Sequence, residues 1–125
     1  MEEMEVWQDA RRFCKSIGEM IDSGKLRRNQ SLVDQIERSS GSVMDNIAEG
    51  FERSGNKEFI QHLHFSKASC AECLSQLYRA LDRGYIGNEE FEKLYQEGKL
   101  LLMKIQKLIN YLMKCEFKGP KFINR

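Results

Sequence analysis

Apolar residues recur at intervals of three and four positions in four stretches of the chain, the period of helices that bury one face. The first stretch covers residues 4–22 and is followed by Ser23 and Gly24. Glycine tolerates the left-handed conformation that closes many helices, so the pattern predicts a helix over residues 4–22 that ends at this pair. The apolar positions of this stretch are Val6, Trp7, Ala10, Phe13, Cys14, Ile17 and Ile21.

The second stretch predicts a helix over residues 31–50, with Ser31 as its N-cap and Gly50 as its end. Its middle, residues 39–42, is small and polar and permits two interpretations. It is either a loop, or part of one continuous helix whose small side chains let a neighbouring helix approach closely. Because Ile36 and Val43 are seven positions apart and stay in phase, we favour the continuous helix.

Two further helices are predicted over residues 56–83 and 89–114. Gly55 or Asn56 caps the first of these, Gly84 closes it, and Asn88 caps the second. The single proline of the chain is Pro120, so no proline interrupts any of the four patterns. Residues 115–125 contain glycine, proline and two phenylalanines and are expected to form a non-helical tail.

Short connections between long helices force successive helices to run in opposite directions. We therefore predict an all-α fold, an antiparallel up-down-up-down four-helix bundle over residues 1–114, followed by the tail over 115–125. The third and fourth helices carry more apolar residues than one seam of a bundle needs, since Leu100 and Met103 lie off the main stripe. Surplus apolar surface on a soluble protein indicates a protein partner.

Charge changes this picture only locally, because 20 basic and 19 acidic residues nearly cancel. The bases are nevertheless grouped, and the alternative to a solvated mixed surface is a phosphate-binding surface for RNA. The candidate RNA-binding residues are Arg11, Arg12 and Lys15 on the first helix, Lys25, Arg27 and Arg28 in the following loop, and Arg53 and Lys57 near the next turn. The acidic N-terminus is unlike a signal peptide and no apolar run is long enough for a membrane span, so we expect a cytoplasmic protein without membrane contact.

The residues with reactive side chains do not form a recognisable catalytic or metal-binding pattern. Cys70 and Cys73 are a Cys-x-x-Cys pair, but they fall in mid-helix on the apolar side, so we interpret them as buried structural thiols and not as a redox or zinc site. His62 and His64 are two positions apart and point to different faces of a helix. We expect surface or interface histidines, no metal, no cofactor and no enzymatic activity.

Asp45 and Glu49 are four positions apart and would suit half of a metal site. A di-metal bundle would also contain Glu-x-x-His pairs, and the sequence has none. Ion pairs with Arg38 or Arg53 are the preferred interpretation.

One stretch of the sequence carries more information than its helical periodicity. Residues 39–51 and the start of the third helix closely resemble the signature of the four-helix-bundle proteins that include the 23S ribosomal RNA intervening-sequence proteins. The matching positions are Asn46, Ile47, Ala48, Glu49 and Gly50, then Arg53, then Lys57, Glu58, Phe59 and Ile60. Val6 with Trp7, residues 84–86 and residues 116–119 also resemble this family. Ser39, Ser40 and Gly41 depart from it, since relatives more often have Arg-Ala-Ala there.

The resemblance implies properties that the pattern itself does not. It implies a four-helix bundle that assembles as a homopentameric ring and has no catalytic activity. Some bacterial members are encoded in insertions of the 23S ribosomal RNA gene, and a related group serves diversity-generating retroelements by binding RNA and reverse transcriptase. Two hypotheses follow: an RNA-associated oligomer, whose partner is structured RNA or a nucleic-acid-processing protein, and a protein–protein scaffold that does not bind RNA.

Overall fold

The computed structural model describes residues 2–53 and 55–118, and the side chains of residues 5–53 and 55–115. This part of the chain contains four helices and no strand. The helices are α1 Glu2–Asp22, α2 Gln30–Glu52, α3 Asn56–Asp82 and α4 Asn88–Lys118. The predicted all-α class is therefore confirmed.

The helices form a closed four-helix bundle. Each helix packs against the next one in sequence, and α4 packs against α1, so that α2 and α4 lie diagonally across the bundle. The connections span residues 23–29, 53–55 and 83–87. Such short connections reverse the chain at each turn, which confirms the predicted up-down-up-down topology and makes α2 and α4 parallel.

The core is made by the inward stripe of every helix. Its largest fully buried side chains come from all four helices and from the first loop: Phe13, Ile17, Leu26, Leu32, Ile36, Ile47, Phe59, Leu63, Leu77, Leu101, Ile105 and Leu108. Gly98 of α4 permits a close approach, since a Cβ there would lie 2.6 Å from Cδ2 of Leu74 and 3.1 Å from the ring of Phe13. A larger residue would therefore force the side chain of Leu74 to move and would crowd the ring of Phe13.

Helix α2 runs without a break through residues 39–42, as the continuous-helix interpretation predicted. Ser39 and Ser40 are buried, and the hydroxyl oxygen of each lies 3.3 Å from the backbone carbonyl oxygen three residues earlier. Because the hydroxyls are satisfied inside the helix, their burial does not require a loop.

Two predicted features of α2 were wrong. The N-cap is Asn29 and not Ser31, because Oδ1 of Asn29 accepts a hydrogen bond from the backbone N–H of Leu32 at 3.0 Å. Gly50 does not end the helix, which continues to Glu52. By contrast, Gly24 and Gly84 follow α1 and α3 with φ of 81° and 74°, as predicted for closing glycines.

Helix α4 extends four residues beyond the predicted end at residue 114, so residues 115–118 are helical and the predicted start of the tail was too early. No glycine or proline occurs in α4 after Gly98. The next such residues are Gly119 and Pro120, and a proline disfavours helical conformation in the residue before it. Residues 119–125 of the predicted tail lie outside the described residues.

Candidate functional site

All eight basic residues predicted to bind RNA are exposed, but the structure divides them into separate groups. Arg11, Arg12 and Lys15 lie along α1, and the loop 23–29 lies at the end of the bundle opposite the turn 53–55. A helix of about 20 residues separates the two ends by ~30 Å. One subunit therefore does not bring the eight residues together in a single patch.

The three bases on α1 differ in their surroundings. Arg12 pairs with Asp9, whose other carboxylate oxygen accepts from Nζ of Lys104 at 2.7 Å. The guanidinium of Arg11 lies 5.9 Å from the ring centre of Trp7, which is cation–π distance. Lys15 has no ion-pair partner among the described residues.

In the loop 23–29, as on α1, two of the three bases have no carboxylate partner within the described chain. Nζ of Lys25 lies 2.7 Å from Oε1 of Glu90. Nη1 of Arg27 donates to the carbonyl of Gly24 at 3.2 Å, and neither Arg27 nor Arg28 pairs with a carboxylate in the described part of the chain. At the other end, Arg53 pairs with Glu49, and Lys57 has no acidic partner among the described residues.

The family signature forms the joint between α2 and α3. A Cβ at Gly50 would lie 2.7 Å from Cβ of His62 and 2.9 Å from Cδ1 of Phe59, so only glycine lets the helices meet here. The rings of Phe51 and Phe59 pack edge to face at 6.0 Å. Ile47 and Phe59 are buried, Ile60 is half-buried, and Ala48, Glu49, Lys57 and Glu58 are exposed.

Ion pairs at the turn add to this joint. Nη2 of Arg53 lies 2.8 Å from Oε2 of Glu49, and Nη1 lies 3.8 Å from Oε2 of Glu58. Of the ion pairs predicted for Asp45 and Glu49, the structure has the pair of Glu49 with Arg53, whereas Asp45 has no ion-pair partner within the described residues. Arg53 thus links Glu49 at the end of α2 to Glu58 at the start of α3, and its own charge is largely neutralised.

A polar seam runs along the same two helices and was not predicted. Nδ2 of Asn46 donates to the carbonyl and the hydroxyl of Ser42 at 3.0 and 2.9 Å, and its Oδ1 lies 3.2 Å from Nδ1 of His62. The hydroxyl of Ser69 donates to that of Ser42 at 2.8 Å. His62 therefore lies half-buried at the contact of α2 with α3 within the subunit.

The seam opens into a groove of about 390 Å³. Its lining residues are Gln35, Arg38, Ser39, Ser42, Ser69, Glu72 and Gln76. The hydroxyl of Ser39 donates to Oε1 of Gln76 at 2.6 Å, and Nη1 of Arg79 donates to Oε1 of Gln35 at 2.8 Å. Ser39, Ser42, Ser69 and Gln76 bond to one another across the two helices, and we interpret the groove as part of the packing between α2 and α3. The sequence signal was the polar run at positions 69, 72 and 76, which lies beside the apolar stripe.

The thiols of Cys70 and Cys73 are buried, as the structural interpretation predicted. Burial raises the pKa of each thiol to about 12, and Sγ of Cys70 lies 3.5 Å from the carbonyl oxygen of Gly98. A thiol with so high a pKa is a poor nucleophile and a poor metal ligand at neutral pH. No three His, Cys, Asp or Glu side chains within the described ranges are placed to hold a metal ion.

Large apolar side chains are exposed on α3 and α4. They are Phe65 and Tyr78 on α3, and Leu100, Met103, Tyr111 and Met113 on α4. Lys99, Lys104, Lys107 and Lys114 lie among those of α4. None of the described helices is both long enough and apolar enough to cross a bilayer.

Comparison with known proteins identifies the family. The model of the family described as 23S rRNA-intervening sequence protein matches residues 2–111. The crystal structure of a protein of unknown function from the S23 ribosomal protein family of Bacteroides thetaiotaomicron VPI-5482 has a TM-score of 0.76 and 20% sequence identity to this chain. The match covers 88% of this chain and 99% of that one, and at this identity it shows the shared fold. No curated protein matches the chain. The family match spans α1, α2, α3 and most of α4, and the chain therefore belongs to the 23S rRNA-intervening sequence proteins.

Proposed function

We propose that this protein is a non-enzymatic, cytoplasmic binding protein that assembles with copies of itself and binds structured RNA through the phosphate backbone. A pentamer is the expected assembly, as the family resemblance implies. The observation that carries the RNA proposal is the loop 23–29, where Arg27 and Arg28 are exposed and pair with no carboxylate of the described chain.

Self-association would strengthen the RNA binding that the few bases of the loop 23–29 provide. One loop presents three bases, one of which is paired with Glu90. Phosphate contacts of this kind are individually weak, but copies of one loop on a single particle bind a long polyanion together. RNA binding and assembly therefore belong to one proposal, while each has its own measurement.

A protein–protein scaffold without RNA binding is the second candidate. The exposed Leu100 and Met103 favour it, because large apolar side chains at the surface are typical of protein contacts. The near-zero net charge of +1 points the same way.

RNA binding is tested by titrating a structured ribosomal RNA fragment at several salt concentrations. The triple variant Lys25→Ala, Arg27→Ala, Arg28→Ala should bind more weakly, and each lost phosphate contact should lower the salt slope by about one. The double variant Arg53→Ala, Lys57→Ala is the comparison at the other end of the bundle. It should have a smaller effect, because Arg53 is already neutralised by Glu49.

Two results would change the proposal. If the wild type does not bind the fragment at low salt, the RNA proposal fails for that RNA and the scaffold is favoured. If the triple variant binds as the wild type does, the loop is the wrong surface. Light scattering separately tests assembly, and a mass of 14.7 kDa at micromolar concentration would contradict it. A dimer or another closed ring would contradict only the pentamer.

A further inference from the structure

The outward face of α2 is acidic and contains small residues. The helix holds five acidic residues and one basic residue, Arg38. Its solvent-facing stripe repeats at intervals of three and four and consists of Asp34, Glu37, Gly41, Asp45, Ala48 and Glu52. Of these, Glu37, Asp45 and Glu52 have no ion-pair partner within the described residues. The stripe therefore carries unneutralised negative charge, and its surface is recessed at Gly41 and Ala48, where the side chains are smallest.

The outward face of α4 has the opposite character. Residues 98–115 include four lysines and no acidic residue. The solvent-facing stripe is Leu100, Met103, Lys107, Tyr111 and Lys114, with Met103 61% exposed. Lys107 and Lys114 pair with no carboxylate of the described chain. This stripe is basic, and its large apolar side chains protrude.

The two stripes match in spacing as well as in character. Gly41, Asp45 and Glu52 are separated by four and seven residues, and so are Met103, Lys107 and Lys114. Because α2 and α4 are parallel and begin at the same end of the bundle, the two sets run in the same direction. Gly41 lies 11 residues after the start of α2 at Gln30, and Met103 lies 15 residues after the start of α4 at Asn88, so the sets come level when the neighbouring copy is displaced by about four residues, ~6 Å, along the bundle axis. Met103 then faces the space above Gly41, where a Cβ would have nothing within 4 Å.

We propose that the α4 stripe of one copy docks on the α2 stripe of the next, with Lys107 and Lys114 opposite Asp45 and Glu52. This inference rests on the proposed self-association and names the surfaces that produce it. The stripes cannot meet within one subunit, since α2 and α4 lie on opposite sides of the bundle. Two copies of the same stripe would place like charges together, so the contact joins different faces and repeats from subunit to subunit.

Charge reversal tests the contact. The variant Lys107→Glu, Lys114→Glu should assemble at least tenfold more weakly than the wild type, because two attractive pairs become repulsive. The variant Asp45→Lys, Glu52→Lys should show the same loss. Combining all four changes in one chain restores opposite charges across the contact, and light scattering should again give the wild-type mass. Helix content by circular dichroism confirms that each variant is folded.

A matched control changes the same number of charges elsewhere. Lys15 and Arg28 are exposed and unpaired within the described chain, and they lie on neither stripe, so Lys15→Glu, Arg28→Glu should retain the wild-type mass. A second pair tests shape: Met103→Arg should weaken assembly more than Met113→Arg. Met113 is 53% exposed, but it lies two turns after Gln106, whose side chain accepts from Lys67 of α3 at 2.6 Å, and so is on the α3 side of α4.

The possible outcomes separate this inference from the proposed function. A monomeric wild type would overturn self-association and, with it, this contact, while RNA binding would be decided by its own titration. An assembled wild type whose mass survives both charge reversals would overturn the contact alone. Reversal of Lys107 and Lys114 that abolishes RNA binding without lowering the mass would also overturn it, and would assign the α4 stripe to RNA.

Discussion

At the scale of single residues, burial fixes how the thiols of Cys70 and Cys73 respond to pH. Their pKa is raised from the ordinary value of 9.0 to about 12, so the folded protein holds these protons where the unfolded chain releases them. Unfolding therefore releases protons between pH 9 and pH 12, and this contribution to stability is complete below pH 9 and lost as the pH rises through that window.

The double variant Cys70→Ala, Cys73→Ala isolates this effect. Between pH 8 and pH 10 the free energy of unfolding of the wild type should fall by about 2–3 kcal/mol more than that of the variant, since each thiol contributes about 1.4 kcal/mol per pH unit above 9. Urea denaturation at the two pH values measures the difference. Parallel losses in both proteins would show that the thiols are accessible to water.

The start of α2 depends on one amide side chain. Asn29→Ala should lower the free energy of unfolding by about 1 kcal/mol, because it removes the acceptor for the N–H of Leu32. Ser31→Ala is the matched control, as the hydroxyl of Ser31 accepts only from the exposed side chain of Gln35. Denaturation in urea compares the two, and an equal loss for Ser31→Ala would contradict the capping assignment.

The N-cap of α2 also shows what the sequence could not determine at this scale, namely the choice between Asn29 and Ser31. Both residue types are favourable N-caps and they lie two positions apart, so their chemistry does not distinguish them. The choice depends on the loop conformation, in which the N–H of Asn29 bonds to the carbonyl of Leu26 and Leu26 is fully buried. That tertiary contact has no signature in the local sequence.

At the scale of helices, two glycines in α2 have opposite roles. Gly50 was predicted to end the helix. Glycine occurs both at helix ends and where two helices pack closely, and the sequence alone does not distinguish these two uses. The structure distinguishes them by the neighbours of the missing Cβ, which are Cβ of His62 and Cδ1 of Phe59 at Gly50, whereas at Gly41 no atom lies within 4 Å.

The pair Gly41→Ala and Gly50→Ala should therefore move stability in opposite directions. Gly41→Ala should raise the free energy of unfolding by about 1 kcal/mol through helix propensity. Gly50→Ala should lower it by about 1–2 kcal/mol, because the backbone of α2 or α3 must shift to admit the methyl group. Urea denaturation of both variants is the measurement. A stabilised Gly50→Ala would mean that α2 and α3 separate at this point without cost.

At the scale of the whole molecule, the fold was predictable and the functional surfaces were only partly so. The four apolar stripes and the glycines at 24 and 84 were enough to predict the number, order and direction of the helices. The contacts Ser39–Gln76 and Asn46–His62 were not, because they depend on how α2 and α3 are rotated about their axes. Basic residues were found as candidates, but their neutralisation, such as Arg53 by Glu49 and Glu58, becomes visible only in three dimensions.

The diagonal placement of an acidic α2 and the basic segment 98–115 of α4 also gives the free subunit an electric dipole moment across its width. Such a dipole orients two subunits before they touch, and it accelerates encounter in dilute salt more than it strengthens the final contact. Stopped-flow measurement of subunit association should therefore give a rate constant that falls steeply as the ionic strength rises. Ionic strength would then control how fast the subunits associate, and it would change the association rate more than the extent of association at equilibrium.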